Sequence, residues 1–141
     1  MEEPLAQNRL PRDELKLDIG SDEGPAGQEY IKLDIKHDRI RDEEYGFRTV
    51  DIIADAHRLP FRDNIFDEVW SGSCIFVYTD ERALREAVRV LKPGGRLQLR
   101  INCETVTPED VARLLPGMSW NYYNYDASGR PVDFIVEWRK P

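Results

Sequence analysis

Strict alternation of apolar and polar residues, broken by glycine, constrains this chain more than any other feature. Leu15, Leu17 and Ile19 alternate with Lys16 and Asp18, and Ile31, Leu33 and Ile35 alternate with Lys32 and Asp34. Leu97, Leu99 and Ile101 oppose Arg96, Gln98 and Arg100; Phe134, Val136 and Trp138 oppose Asp133, Glu137 and Arg139. Side chains on a strand point to opposite faces in turn, so each segment reads as a strand with one apolar and one polar face. A sheet covered by helices on both sides carries near-continuous apolar strands instead. The pattern therefore predicts a two-layer sheet with Lys16, Lys32, Gln98 and Arg100 largely exposed on its polar face. Such a face is free to meet a second copy, a protein partner or a substrate, or simply to face water.

Taken in order, residues 1–14 hold two prolines and scattered charges and read as an irregular lead-in, followed by one domain over 15–141. The first strand, Leu15–Ile19, runs into Gly20-Ser21-Asp22-Glu23-Gly24. A glycine after a strand lets the backbone turn sharply and approach a ligand where a Cβ would clash. Ligands of open α/β sheets sit beyond the carboxyl ends of the strands. This end is thus a candidate nucleotide-binding edge, or an ordinary strand-to-turn junction. The second strand is Tyr30–Ile35, and the roughly ten residues before it are too few for a full crossover helix. Residues 36–49 are strongly charged and read as a short surface helix or a loop.

Val50–Asp55 and Phe66–Ser71 are the third and fourth strands. Thr79 or Asp80 caps a helix over Asp80–Leu91, with Leu84, Ala87, Val88 and Leu91 on one face and Glu81, Arg82, Arg85, Glu86 and Arg89 opposite. Lys92-Pro93-Gly94-Gly95 stops that helix, and Arg96–Ile101 is the fifth strand. Thr107 caps a second helix, reaching Leu115, with Pro108 at its first position. Ser119–Tyr125 and Val132–Arg139 flank Ala127-Ser128-Gly129-Arg130 as a terminal hairpin. Few helices among many strands indicate a trimmed α/β sheet.

A net charge of −7 argues against binding nucleic acid through the whole molecule. No run approaches the roughly 18 apolar residues of a spanning helix, and Met1-Glu2-Glu3-Pro4 does not open a signal peptide. Cys74 and Cys103 give neither a disulfide framework nor metal spacing, and His37 and His57 lack partners at ligand spacing. The expectation is a soluble, cytoplasmic protein with no metal and no membrane association.

Four stretches resemble the class I S-adenosylmethionine-dependent methyltransferases, of the small type 11 kind. Leu17-Asp18-Ile19-Gly20-Ser21 is similar to the family's first motif, and Tyr30–Ile35 to its second strand ending in an acid. Asp51–Phe61 through Phe66-Asp67-Glu68-Val69 resembles its third and fourth strands. Ala83–Leu97, with Lys92-Pro93-Gly94-Gly95, resembles its helix and turn before the fifth strand. The likeness spans roughly residues 15–101, and the last two stretches are the specific ones. It implies a Rossmann-like methyltransferase sheet, mostly parallel with a C-terminal antiparallel hairpin, trimmed of its early helices and with the remaining helices mainly on one face.

The resemblance further implies S-adenosylmethionine as cofactor. Its contacts would be Asp18, Gly20, Ser21, Asp22, Asp34, Ile35, Asp55, Ala56, His57 and Ser71. Gly20 and Ser21 would pass the methionine part, and Asp34 would accept from the ribose hydroxyls, charge-assisted bonds being the strong ones. Asp55 and Ala56 would lie along the adenine, with His57 beside it, and Ser71 would line the floor near the methyl group. Each has a structural reading too: Asp34 as a solvated strand end, Asp55 as the cap of the turn after its strand. Asp22 stands where the family carries its second glycine. Ser71-Gly72-Ser73-Cys74 differs from the Asn/Asp-Pro-Pro-aromatic motif of enzymes that methylate nucleic-acid amines. The methyl acceptor, small molecule or macromolecule, is not legible, and no catalytic base stands out. The alternative function is a degenerate module that senses cofactor or binds a partner without catalysis.

Overall fold

The computed structural model describes residues 14–20, 30–34, 51–72, 81–104 and 106–141. Within them seven strands form one sheet: β1 (Lys16–Ile19), β2 (Ile31–Asp34), β3 (Ile52–Ile53), β4 (Phe66–Gly72), β5 (Leu91–Asn102), β6 (Ser119–Tyr125) and β7 (Pro131–Arg139). Helix α1 (Glu81–Val90) joins β4 to β5, and helix α2 (Pro108–Leu114) lies between β5 and β6. The strand order is β3-β2-β1-β4-β5-β7-β6. Neighbours are parallel as far as β5, whereas β7 runs antiparallel to both β5 and β6. The expected mostly parallel sheet with a terminal antiparallel hairpin is the observed one.

Alternation builds the layers as anticipated. Leu17, Ile19, Leu33, Val69, Leu97, Leu99, Ile101, Phe134 and Val136 share one face and are each at most 1% exposed. Ala83, Leu84, Ala87 and Val90 of α1, with Val111 and Leu115 at α2, pack into the same core. Both described helices thus cover the apolar face. Thr107 caps α2 as its sequence predicts: its hydroxyl accepts from the Asp110 N–H, and the Asp110 carboxylate accepts from the Thr107 N–H at 3.1 Å. In the hairpin, Asp126 Oδ1 accepts from the backbone N–H groups of Ser128 and Arg130, and Gly129 takes a φ of 86°.

The chain departs from expectation after α1. The Lys92–Gly95 segment ends no isolated helix tail but already belongs to β5. Leu91 pairs with Phe66, and a bulge between Phe66 and Glu68 absorbs the extra residues before Arg96 pairs with Glu68. The end of β7 holds this bend open: Gly94 N–H donates to Lys140 O at 2.7 Å, and Lys140 N–H to Gly95 O at 3.1 Å. A Cβ on Gly95 would sit 2.7 Å from Leu91 Cδ1 and 2.9 Å from the Lys92 carbonyl oxygen. Gly95→Ala is therefore expected to cost about 1–3 kcal/mol, the range for overpacking against groups that cannot withdraw. Urea denaturation measures it, and an unchanged midpoint would show that the bend relaxes freely.

β3 is shorter than the expected Val50–Asp55. The Asp51 carboxylate takes the Lys32 N–H at 2.9 Å, so a side chain does there what a longer ladder would do. Ser21, Asp22, Ile35, Val50, Thr79 and Asp80 lie outside the described residues, as does nearly all of the lead-in.

The polar face is less open than alternation suggests. Lys16, Lys32, Gln98 and Arg100 are half-buried, not largely exposed. Long side chains lie along the sheet and meet partners on neighbouring strands. Tyr30 donates to Glu68; Arg96 bridges Glu68 at 3.3 Å and Glu137 at 2.9 Å. Lys16 Nζ rests 5.6 Å from the Tyr30 ring centroid. Asp18, Glu68, Trp70 and Asp133 on this face are buried.

Candidate functional site

Four parallel neighbours, β3, β2, β1 and β4, necessarily end at one edge of the sheet. Backbone bonds tie their ends together: Gly20 N–H donates to Leu33 O at 2.8 Å, and Ala54 N–H to Asp34 O at 3.0 Å. Gly20 has a φ of 71°, where a side chain would be strained, so this turn needs glycine. Gly20, Asp34, Asp55 and Ser71 therefore stand at adjacent strand ends, as the sequence suggests.

Their surroundings differ. Asp18 is fully buried, and neither carboxyl oxygen has a hydrogen-bond partner among the described residues. Burial pushes its pKa up to about 7; Lys32 pulls it down and Asp34 pushes it further up. Asp34 is 7% exposed on the same face of the neighbouring strand. Ser71 pairs with Ile19 and Leu99, which turns its buried hydroxyl to the helix side of the sheet, away from Asp18 and Asp34. Ala56 packs into the core.

Asp55 is exposed and caps the turn that follows β3. Its Oδ1 accepts from the His57 N–H at 2.9 Å and lies 2.6 Å from His57 Nδ1. These bonds, the backbone one first, hold the Asp55 carboxyl below the usual carboxylate range. Asp55, His57, Arg58 and Arg82 of α1 line a cleft of about 620 Å³. The structural reading of Asp55 is thus correct, yet the turn it caps opens onto a cavity.

Two features escape the sequence reading. Trp70 pairs with Asp18 across β4 and β1, and its indole N–H is buried without an acceptor. The ring leans toward the end of its strand, since a Cβ on Gly72 would lie 3.7 Å from Nε1. Two residues paired across neighbouring strands thus carry a buried donor and a buried acceptor with no partner among the described residues, and each is costly to leave so. A tryptophan among the polar-parity residues Glu68 and Gly72 was the available signal. The second feature is Arg89, placed by its periodicity on the outer face of α1. It binds Glu86 at 2.7 Å, Asp63 at 2.8 Å and the Phe61 carbonyl at 2.9 Å, while Glu86 accepts from the Leu59 N–H at 2.8 Å. This clasp fixes the loop that follows Asp55 and His57 against α1.

Comparison with known proteins agrees with this architecture. A family model described as a methyltransferase domain matches residues 21–99. The chain is 38% identical over 82 residues to the methyltransferase GfsG of Streptomyces halstedii, covering 57% of this chain and 30% of that protein. It is 42% identical over 66 residues to the ubiquinone/menaquinone biosynthesis C-methyltransferase UbiE of Vibrio cholerae, covering 46% of this chain and 25% of the relative. The chain thus spans less than a third of the length of these curated relatives. Its fold superposes on an S-adenosylmethionine-dependent methyltransferase from Mesorhizobium loti with a TM-score of 0.65, at 16% identity, over 99% of this chain and 97% of that one. Among the described residues no helix is long and apolar enough to cross a membrane. The chain belongs to the methyltransferase-domain family, the class I S-adenosylmethionine-dependent enzymes of type 11.

Proposed function

We propose that this chain binds S-adenosylmethionine at the carboxyl edge of β1 to β3 and transfers its methyl group to an acceptor. The observation that carries the reading is the buried, unpartnered Asp18 carboxyl beside the glycine turn at Gly20. A buried acid without a partner suits a ligand that brings its own cation, and the amino-acid end of this cofactor carries an ammonium. Trp70 offers the neighbouring N–H to an acceptor on the same ligand.

The other residues divide the work. Asp34, at the end of β2, accepts from the ribose diol. Asp55 gives Oδ1 to His57, which leaves Oδ2 for the adenine amine in the adjoining cleft. Gly20 lets the backbone come close. When bound, S-adenosylmethionine supplies a methyl group already activated by its sulfonium. The chain's task is then to position the reacting partners and exclude water.

Calorimetric titration with S-adenosylmethionine and S-adenosylhomocysteine tests the reading. Asp34→Ala is expected to weaken binding by about 1–3 kcal/mol, the cost of a lost charged hydrogen bond. Unchanged affinity removes Asp34 from the site. No binding by the parent chain would favour the degenerate, partner-binding alternative.

A further inference from the structure

On the polar face, Arg100 of β5 is held from two sides. Its Nε donates to Asp133 Oδ2 at 2.9 Å, and its guanidinium carbon lies 5.4 Å from the Tyr123 ring centroid. Asp133 is only 5% exposed and also accepts from Asn124 Nδ2 at 3.3 Å, so the anchor is itself fixed. The two Nη groups of Arg100 bond no described residue, and the side chain remains 37% exposed. Arg96, four residues back on the same face of the strand, is different: Glu68 and Glu137 close its guanidinium.

The register places this open fork. Ile19 pairs with Ser71, and the next residue of β4, Gly72, pairs with Arg100. Arg100 is therefore level with Gly20 and two strands away, about 10 Å at the usual strand spacing. A group bound there sits beside the candidate cofactor edge, on the side of β4 away from Asp34 and Asp55.

We propose that Arg100 recognises a carboxylate carried by the methyl acceptor; this rests on the cofactor reading above. A planar guanidinium with two free donors matches a carboxylate in bidentate fashion, and one already held by Asp133 and Tyr123 loses little freedom on binding. The net charge of −7 and the adjacent Asp133 select a monoanion over a phosphate dianion or a nucleic acid.

The test titrates benzoate, methyl benzoate and inorganic phosphate into protein loaded with S-adenosylhomocysteine. Nuclear magnetic resonance follows the Arg100 Nε–Hε signal, which Asp133 shields from solvent. Benzoate is expected to move the signal to saturation, the neutral ester to leave it in place, and phosphate to bind more weakly. Arg100→Lys keeps the charge without the fork and should weaken benzoate binding at least about ten-fold. Arg100→Gln strands a buried carboxylate, so it is paired with Asp133→Asn, and binding loss in that folded double variant is read by aromatic chemical shifts.

Equal shifts by acid and ester, or full benzoate affinity in these variants, would overturn the proposal. Tighter binding of phosphate overturns the choice of carboxylate. Calorimetry with S-adenosylhomocysteine on the same samples separates the two readings. A parent that binds benzoate at Arg100 but not S-adenosylhomocysteine refutes the cofactor reading and leaves an oxyanion site standing. A parent that binds S-adenosylhomocysteine but shows no benzoate response refutes the site alone.

Discussion

Asp18→Asn is expected to make the ligand-free protein more stable and to abolish its affinity for cofactor. The Asp18 carboxyl is pushed up from 3.8 to about 7 by burial, so the folded chain binds that proton more tightly than the unfolded chain does. Its contribution to stability is complete below about pH 4 and declines as pH rises to about 7. Fully expressed, a shift of that size is worth at most about 4 kcal/mol. Asparagine removes the charge but brings an amide that also lacks partners, a cost of about 1–3 kcal/mol. The net gain above pH 7 is then about 1–3 kcal/mol. Near pH 4, where the parent's carboxyl is already neutral, the amide's cost of about 1–3 kcal/mol stands alone and the sign reverses. Urea denaturation of both proteins across this range checks the sign.

The same substitution removes the carboxylate that an incoming ammonium would meet at that position. The parent's affinity for S-adenosylhomocysteine should rise with pH up to about 7, as Asp18 ionises, and level off above it. In the variant the pH dependence vanishes along with most of the binding. A variant that gains stability yet binds as well as the parent would show that Asp18 serves neither the fold nor the ligand.

The second large effect is expected at Arg89→Met. Methionine keeps the stem that packs on α1 and deletes bonds to Glu86, Asp63 and the carbonyls of Leu59 and Phe61. Glu86 then loses the partner that holds its carboxyl below the usual range. Loss of this half-buried network should cost about 2–4 kcal/mol. Hydrogen exchange should rise between Asp55 and Asp63 more than in β5 or β7. Cofactor affinity should fall as well, because this loop carries Asp55 and His57 toward the cleft. Equal exchange in the loop and in β7 would mean that the clasp supports the whole fold and not the site.

Sequence periodicity was a good guide to what strands and helices bury, since Leu17, Leu33, Leu99 and Phe134 all point where a period of two puts them. Capping chemistry was equally legible at Thr107, whose partner Asp110 lies three residues on. What periodicity does not carry is contact between distant residues. Lys140, for instance, donates to Asn64 Oδ1 and to the carbonyls of Val88 and Leu91, and thereby sets where α1 gives way to β5. The extent of exposure on the polar face was misjudged for a related reason: whether Arg96 meets Glu68 and Glu137 depends on strand order, which alternation leaves open. The placing of Gly20, Asp34 and Asp55 at one edge of the sheet was legible because each lies at or just beyond the end of a strand. Trp70 was not, because it is read as core until its neighbour across the sheet is known.

The strand ladders also grade the molecule from one end to the other. β5 and β7 share seven residue pairs, and β6 and β7 share six. Among the described residues β1 and β2 share three, and β2 and β3 two. Gly20, Asp34 and Asp55 are therefore mounted on the margin of the sheet that opens with least free energy, while the hairpin end supplies a firm anvil. A ligand spanning those three strand ends would act as a splint, adding cross-strand cohesion where the backbone provides least. Such a protein tightens upon occupancy from its weak margin inward, and its tolerance of heat and denaturant becomes a readout of what it holds.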